Sequence, residues 1–552
     1  MMTDATIGYV TSGSLKEGIF VRLTVPAASV QEGAFVVIES QNLKFYGLVV
    51  NLSLQAVDPH YSRDLNTARL PKGMSDLLQA QTLFTEMEVL PVLMQNIGRE
   101  LDDPEYKAGE KTDLSPVPVK TLPLHQAPVR MATAFDVQEV FKPKKEENSF
   151  VIGSTREQGH AVHIDMEKFV QRSSGIFGAT GTGKSYLTRM ILAGLIQSQR
   201  AAVLVFDMHN EYAFGDTSPD TDIKAPGLVE KMPKKVKACV LGKSTNIKGN
   251  QADFDLVLEY SDILPEDIEM LTRELNLRET TSTTLSAIVQ CFRLDNWFQS
   301  FMNLNTGDGE GSVKEWAQNW KVNEMAASSL HEKLRPLFRK DYLVEHQAGK
   351  SSIRQIIDLL KKGQSVILSF GDYEQDLDYL LVTNLLTRKI RREWERMTLE
   401  HLNHDGAKPK PLVVAVEEAH KLLNREMAGQ TTFSTIAREM RKYYVTLLII
   451  DQRPSQIYDE VMSQLGTRIS GWLGDDGDIS AVLSGLSGKD SLRGMLSRLQ
   501  PKEEVLILGY GVPMPMPIRS RRYDNLFWQE MLKGERQNAL PPETRQNFMY
   551  GD

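Results

Sequence analysis

The run Gly178-Ala179-Thr180-Gly181-Thr182-Gly183-Lys184-Ser185 constrains this chain more than any other stretch of its sequence. It completes the pattern G-x-x-x-x-G-K-[ST], whose glycines let the backbone turn with successive N–H groups pointing inward, a nest for a phosphate. Its flanks agree. Gly175-Ile176-Phe177 reads as a short strand, and Leu187, Met190, Ile191 and Leu195 recur at helical spacing after the loop. A helix starting near Lys184 adds its positive dipole end. In such a loop the lysine reaches the β- and γ-phosphates and the Ser185 hydroxyl ligates Mg²⁺. The candidate residues for binding ATP are therefore Gly178, Ala179, Thr180, Gly181, Thr182, Gly183, Lys184, Ser185 and Tyr186.

Strand, loop and helix in that order imply an α/β fold. Ala201–Phe206 is a continuous apolar run, as in a strand buried on both faces of a parallel sheet. Similar runs return at Val366–Phe370, Leu412–Val416, Val445–Ile450 and Val505–Leu508, with helical patterns between several of them. The alternation predicts a doubly wound parallel sheet.

Three of these runs end in polar residues suited to nucleotide chemistry. Leu412–Val416 leads into Glu417-Glu418-Ala419-His420, which puts two carboxylates at the carboxyl edge of the sheet beside the phosphate loop. Glu417 is the candidate for holding Mg²⁺ through water, and Glu418 for polarising the attacking water. The alternative is that the pair caps the following helix. Phe206 is followed by Asp207-Met208-His209-Asn210-Glu211-Tyr212, which sets Asp207, His209 and Glu211 at the same edge as the nucleotide and makes them further candidates for binding it. A single histidine in such a loop is more often structural than catalytic. Val445–Ile450 leads into Asp451-Gln452-Arg453-Pro454, and an amide at a strand end can sense the γ-phosphate. Before it, Ala437-Arg438-Glu439-Met440-Arg441-Lys442 reads as a basic helical stretch, which in isolation is a solvated face.

The remaining chain divides by texture. Thr6–Val10, Phe20–Val25, Ala34–Glu39, Phe45–Leu52 and Met87–Leu93 are short apolar stretches separated by turn signals, a small barrel or sandwich over residues 1–103. Residues 104–150 hold Pro104, Pro116, Pro118, Pro123, Pro128 and Pro143, and read as a linker or extended edge segment. The α/β texture covers residues 151–252 and 344–510, and the helix-rich stretch 253–343 reads as an insertion between them. Residues 511–552 form a C-terminal arm with too little patterned apolar surface for a domain of its own.

Composition narrows the classes further. A length of 552 residues suggests about three or four domains. A formal charge of −8 means that a nucleic-acid partner would need a local basic lining rather than a global field. Cys239 and Cys291 are the two cysteines, which fits a reducing cytoplasm and excludes a disulfide framework or a four-cysteine zinc site. No apolar run approaches the ~18 residues of a membrane span, and no secretory leader is readable. The expectation is a soluble cytoplasmic protein without a membrane partner.

Taken in order, GATGTGKS, DMHNEY, VEEAH, AREMRK and QRPSQI resemble the HerA branch of the HerA/FtsK DNA-pumping ATPases. Any one of these motifs is shared by many ATPases, whereas the ordered set is specific and covers most of the chain. The resemblance implies an N-terminal β-barrel, a RecA-like core with a helical insertion, and a C-terminal arm. It implies a homohexameric ring that hydrolyses ATP between subunits and moves double-stranded DNA through its pore. Arg172 fits the arginine that the family places ahead of the phosphate loop, Arg441 the basic helix that approaches a neighbour's nucleotide, and Gln452 the sensor. A partner nuclease of the NurA kind in end processing, or a defence effector in antiphage systems, is implied as well, with the barrel as its docking surface. Pore loops should follow the core strands, after Tyr212 and around Asn424–Thr432, with Arg425 a candidate DNA contact; the basic run Lys231–Lys237 reads as a solvated loop. The rival reading is a ring scaffold whose nucleotide site assembles and activates an effector without processive movement.

Overall fold

The structure, a computed structural model, describes residues 5–56, 83–97, 115–217, 224–243, 246–278, 281–347, 349–427, 432–486 and 488–539. The prolines expected in a linker lie partly outside these residues, as do positions 428–431 of the candidate pore loop and the end of the arm. The chain forms two compact units: residues 1–165, 177–184 and 467–521 make the first, and residues 166–176, 185–466 and 522–552 the second.

The first unit contains the expected barrel. Six antiparallel strands close on themselves in the order Gly18–Leu23, Thr6–Ser14, Pro128–Met131, Phe35–Ser40, Leu43–Ala56 and Leu83–Asn96, the last pairing back to the first. Closure removes exposed edges. Val21, Val36, Ile38, Phe45, Val49, Val89 and Val129 fill the interior. One of the six strands comes from the stretch read as linker. Pro128 opens it, a strand position where a missing N–H is tolerated. Four residues flanked by proline carry too little pattern to be seen as a strand. The helix Ala134–Phe141 follows, started by a reciprocal pair in which the Asp136 amide donates to Thr133 Oγ1 (3.3 Å) and the Thr133 amide to Asp136 Oδ2 (2.8 Å). It covers the barrel's outer face, with Phe141 edge-on to Phe35.

The same unit holds an antiparallel set, Thr467–Ser470, Glu504–Gly509, Met516–Ser520, Ser149–Thr155 and Ala161–Asp165. Glu504–Gly509 contains the run expected among parallel strands, yet Ile507 faces Ile469 in antiparallel register. An apolar run reports burial on both faces and is silent on direction. The barrel meets this set where Gly33 (φ +84°) approaches Pro517; a Cβ on Gly33 would lie 2.8 Å from the proline ring.

The second unit is built on a parallel sheet in the order Phe254–Leu256, Val236–Leu241, Ser365–Ser369, Ala202–Asp207, Leu412–Glu417 and Val445–Asp451. Every residue of the last three strands is buried. Val236–Leu241 is absent from the sequence expectation because lysines crowd its start; Lys237 pairs with Asp253 at 2.8 Å. The helical insertion is present, but Phe254–Leu256 belongs to the sheet. A short parallel pair, Leu258–Glu259 with Leu343–Val344, closes the insertion's neck. Its helices, among them Thr281–Phe292, Trp297–Met302 and Glu324–Phe338, pack around Trp297, Phe301 and Leu334. Arg388, on the 27-residue helix Asp376–Leu402, holds buried Asp267 of the insertion at 2.6 Å. Among the described residues no helix is long and apolar enough to cross a membrane.

Candidate functional site

The phosphate loop takes the conformation its glycines permit. Gly181 and Gly183 have φ of +77° and +86°, a region that side chains strain to enter. The loop spends part of its polar backbone on its own shape. Thr182 is buried, and its hydroxyl (2.7 Å) and amide (3.3 Å) both donate to the Ala179 carbonyl. The Ala179 amide donates to the Trp472 carbonyl and the Lys502 amide to the Thr182 carbonyl, each at 3.1 Å. Among the described residues no hydrogen bond engages the Gly181 or Gly183 amide, so both remain for an anion. The 15-residue helix Lys184–Ser198 begins at the lysine, and it is anchored by an unbroken buried stretch from Leu187 to Ile196.

In the second unit the strands Ala202–Asp207, Leu412–Glu417 and Val445–Asp451 all end on an acid. Strands buried on both faces can place a charge only where they leave the sheet, so the acids gather at the carboxyl edge. Asp207 has no exposed surface, and its two oxygens accept the amides of Glu211 (2.8 Å) and Tyr212 (2.9 Å). Burial pushes its carboxyl up to about 6 even so. The turn it caps delivers the Tyr212 hydroxyl to Glu417 Oε1 at 2.7 Å. A second buried hydroxyl, Tyr379 on the long helix, donates to the Glu417 carbonyl at 2.6 Å. Burial first, then the Glu417 charge, drives both phenols far above their ordinary range, so they stay protonated donors. Glu417 is thus fixed by side chain and by backbone.

Glu418 leaves the strand with φ +46°, a left-handed conformation that costs a non-glycine residue roughly 1–2 kcal/mol. Its carboxylate is only partly covered, with Gln452 Nε2 at 3.4 Å and His420 Nδ1 at 3.7 Å. His420 Nδ1 lies closer, 3.0 Å, to Asp451 Oδ2. Asp451 is fully buried and also accepts the amides of His420 (2.7 Å) and Arg453 (2.8 Å). Burial pushes Asp451 up, but the histidine and the two amides outweigh it and hold the carboxyl below its ordinary value. The hydrogen bond to Asp451 holds His420 above its own, against the opposing effect of burial.

The remaining predicted residues are placed as follows. Asp207 turns its carboxylate to its own chain's amides. His209 is exposed. The Glu211 carbonyl accepts from buried Arg189, while Glu211 Oε2 has no partner among the described residues. Tyr186 lies under the Arg189 guanidinium and 6.4 Å from Tyr523. Arg172 is exposed, and its stem covers Gly466, where a Cβ would come within 2.5 Å of it. The basic stretch is not one helix: Thr432–Glu439 gives way to a 3-10 turn, Met440–Tyr443, that carries exposed Arg441. Arg438 sits 3.6 Å from Glu460, in keeping with a solvated face. Arg425 borders a cavity of about 740 Å³, together with Arg273, Asp376, His420 and Lys421.

Sequence reasoning assigned no role to Tyr212, Tyr379, His420 or Asp451. Asp451 ends an apolar run as Asp207 does, and His420 follows the paired acids, so both carried a readable signal. Tyr379 reaches Glu417 from a distant helix and carried none. The donors available to a metal, the Ser185 hydroxyl and the Glu417 and Glu418 carboxylates, are hard oxygens of the kind Mg²⁺ takes.

Residues 150–390 match the family described as helicase HerA, central domain. The chain is 24% identical over 524 residues to the DNA double-strand break repair helicase HerA of Sulfurisphaera tokodaii, covering 94% of this chain and 93% of that one. It is 23% identical to the protein of the same name from Sulfolobus acidocaldarius, over 94% of each chain. Among solved structures, the bacterial conjugative coupling protein TrwB aligns with a TM-score of 0.44 and 10% identity over 71% of this chain and 92% of that one. A match that takes in the phosphate loop and runs into the long helix, continued by relatives that cover nearly the whole chain, makes the chain similar to HerA helicases along most of its length, and it is an ATP-hydrolysing enzyme of the P-loop class.

Proposed function

We propose that the chain is an ATP-driven motor for double-stranded DNA, a helicase or translocase that works as a homohexameric ring in the cytoplasm. It acts with a partner nuclease that docks on the N-terminal barrel, in DNA end processing or in antiphage defence. The observation that carries the reading is the fixed end of the strand Leu412–Glu417, where two adjacent acids are held in different settings within a chain that also carries a complete phosphate loop. A site kept only for assembly has no need of a second, strained carboxylate. The names of the relatives support DNA as the substrate.

In this reading the free amides of Gly181 and Gly183, with Lys184, hold the β- and γ-phosphates. Ser185 and Glu417 hold Mg²⁺, Glu417 through water; the ion supplies positive charge to the phosphate oxygens when bound. Glu418 accepts the proton of the attacking water at its carboxylate. Gln452, hydrogen-bonded to Glu418, senses the γ-phosphate. Arg172 and Arg441, both exposed, meet a neighbouring subunit's nucleotide and neutralise charge in the transition state. Arg425 contacts DNA.

The test is ATP turnover of the purified protein with and without duplex DNA, at low and moderate salt, beside Lys184→Ala and Glu418→Gln. The reading expects stimulation by DNA that weakens with salt and is lost in both variants. Turnover indifferent to DNA would remove the motor reading for the isolated protein.

A further inference from the structure

We infer that His420, held by buried Asp451, is a positioning residue for Glu418, setting the direction of the carboxylate that activates water. The inference rests on the proposed role of Glu418 and adds what keeps that side chain in place.

His420 is fixed at three points. Its amide donates to Asp451 Oδ2 at 2.7 Å, its ring Nδ1 to the same oxygen at 3.0 Å, and its carbonyl accepts from Asn424 Nδ2 at 3.0 Å. An ionised carboxylate only accepts, so Nδ1 carries the proton and the tautomer is set. Asp451 is held in turn, since it is fully buried at the end of the strand Val445–Asp451 and also takes the Arg453 amide. The imidazole therefore stands fixed 3.7 Å from Glu418 Oε2, while Gln452 Nε2 donates to the other oxygen, Oε1, at 3.4 Å. Glu418 itself has only a left-handed backbone and a long, weak amide bond to direct it. Without His420 the carboxylate would lose the ring that stands 3.7 Å from Oε2. A base displaced by about 1 Å from its water can lose on the order of 100-fold in rate while ground-state binding stays intact.

The competing possibility is that His420 and Asp451 form an ion pair that merely secures the start of the following helix. Turnover separates the two, measured as kcat and KM for ATP beside thermal unfolding on the full chain. The variants are His420→Ala, His420→Asn, Glu418→Gln and the double change His420→Ala with Glu418→Gln. His420→Asn keeps an N–H donor where Nδ1 stands. Positioning predicts that His420→Ala lowers kcat roughly 10–100-fold with KM for ATP changed less than about threefold. It predicts that His420→Asn recovers most of that loss, and that the double variant is no slower than Glu418→Gln alone. The inference is overturned if His420→Ala keeps kcat within about twofold, or if its loss multiplies fully with that of Glu418→Gln. Unchanged turnover in Glu418→Gln alone would remove the role of Glu418 itself, a failure that the single variants tell apart from the first.

Discussion

The strand that carries the paired glutamates lies between two strands that end alike and behave differently. Ala202–Asp207 on one side and Val445–Asp451 on the other each finish on an aspartate without exposed surface that accepts two backbone amides. Asp207 works through a neutral phenol, Tyr212, and reaches Glu417. Asp451 works through a basic imidazole, His420, and reaches Glu418. With only neutral donors, burial wins at Asp207 and its carboxyl rises to about 6. With a cation-forming partner, burial loses at Asp451 and its carboxyl falls. The same backbone anchoring thus comes with opposite electrostatics, because only Asp451 also takes an imidazole N–H. Glu417 sits buried and locked, suited to hold a metal's water shell. Glu418 sits partly exposed beside a proton-bearing ring, suited to exchange a proton.

The sharpest way to break this comparison is Glu418→Gln. Removing the proposed base should lower turnover roughly 100- to 10,000-fold while an ATP analogue still binds, measured by steady-state kinetics and fluorescence titration. Next come the anchors. Asp451→Asn uncouples a buried ion pair and should cost roughly 3–5 kcal/mol of unfolding free energy. Asp207→Asn replaces a carboxylate served only by neutral donors and should cost about 1–3 kcal/mol, so chemical denaturation ranks the two. Tyr212→Phe deletes the hydroxyl on Glu417 and should lower turnover about tenfold, with the loss partly restored by raised Mg²⁺.

The smallest effect is a difference of sign in the pH dependence of stability. Asp207 titrates higher folded than unfolded, so its contribution is complete at low pH and is lost as pH rises from about 4 to about 6. Asp451 titrates lower folded than unfolded, so its contribution is present above the ordinary aspartate range and is lost as pH falls through its depressed value. His420 titrates higher, so its share holds at acid pH and fades as pH rises through its folded value. Denaturation curves of Asp207→Asn and Asp451→Asn against pH should therefore depart from the wild type in opposite directions. Ring-proton resonances should place His420 above 6.5, and lower in Asp451→Asn.

The sequence was most legible where burial writes a continuous pattern. The strands ending at Asp207, Glu417 and Asp451 stand within a residue of where their apolar runs place them, because strands buried on both faces admit little else. The phosphate loop was legible because only glycine tolerates its backbone. Pattern failed where context carries the information. Pro128–Met131 is a strand because the barrel needs a sixth, Val236–Leu241 hides behind lysines, and Glu504–Gly509 reads as buried without revealing its direction. At the site the acids themselves were readable. Their supports were less so, since Tyr379 acts through a contact from a distant helix that no spacing encodes.

The most direct measurement compares Glu417→Gln with Glu418→Gln in one experiment, recording the affinity for an ATP analogue with and without Mg²⁺ alongside turnover. The account predicts that Glu417→Gln loses most of the Mg²⁺-dependent gain in affinity, whereas Glu418→Gln keeps that gain and loses only turnover. Two variants that behave alike in both readouts would contradict it.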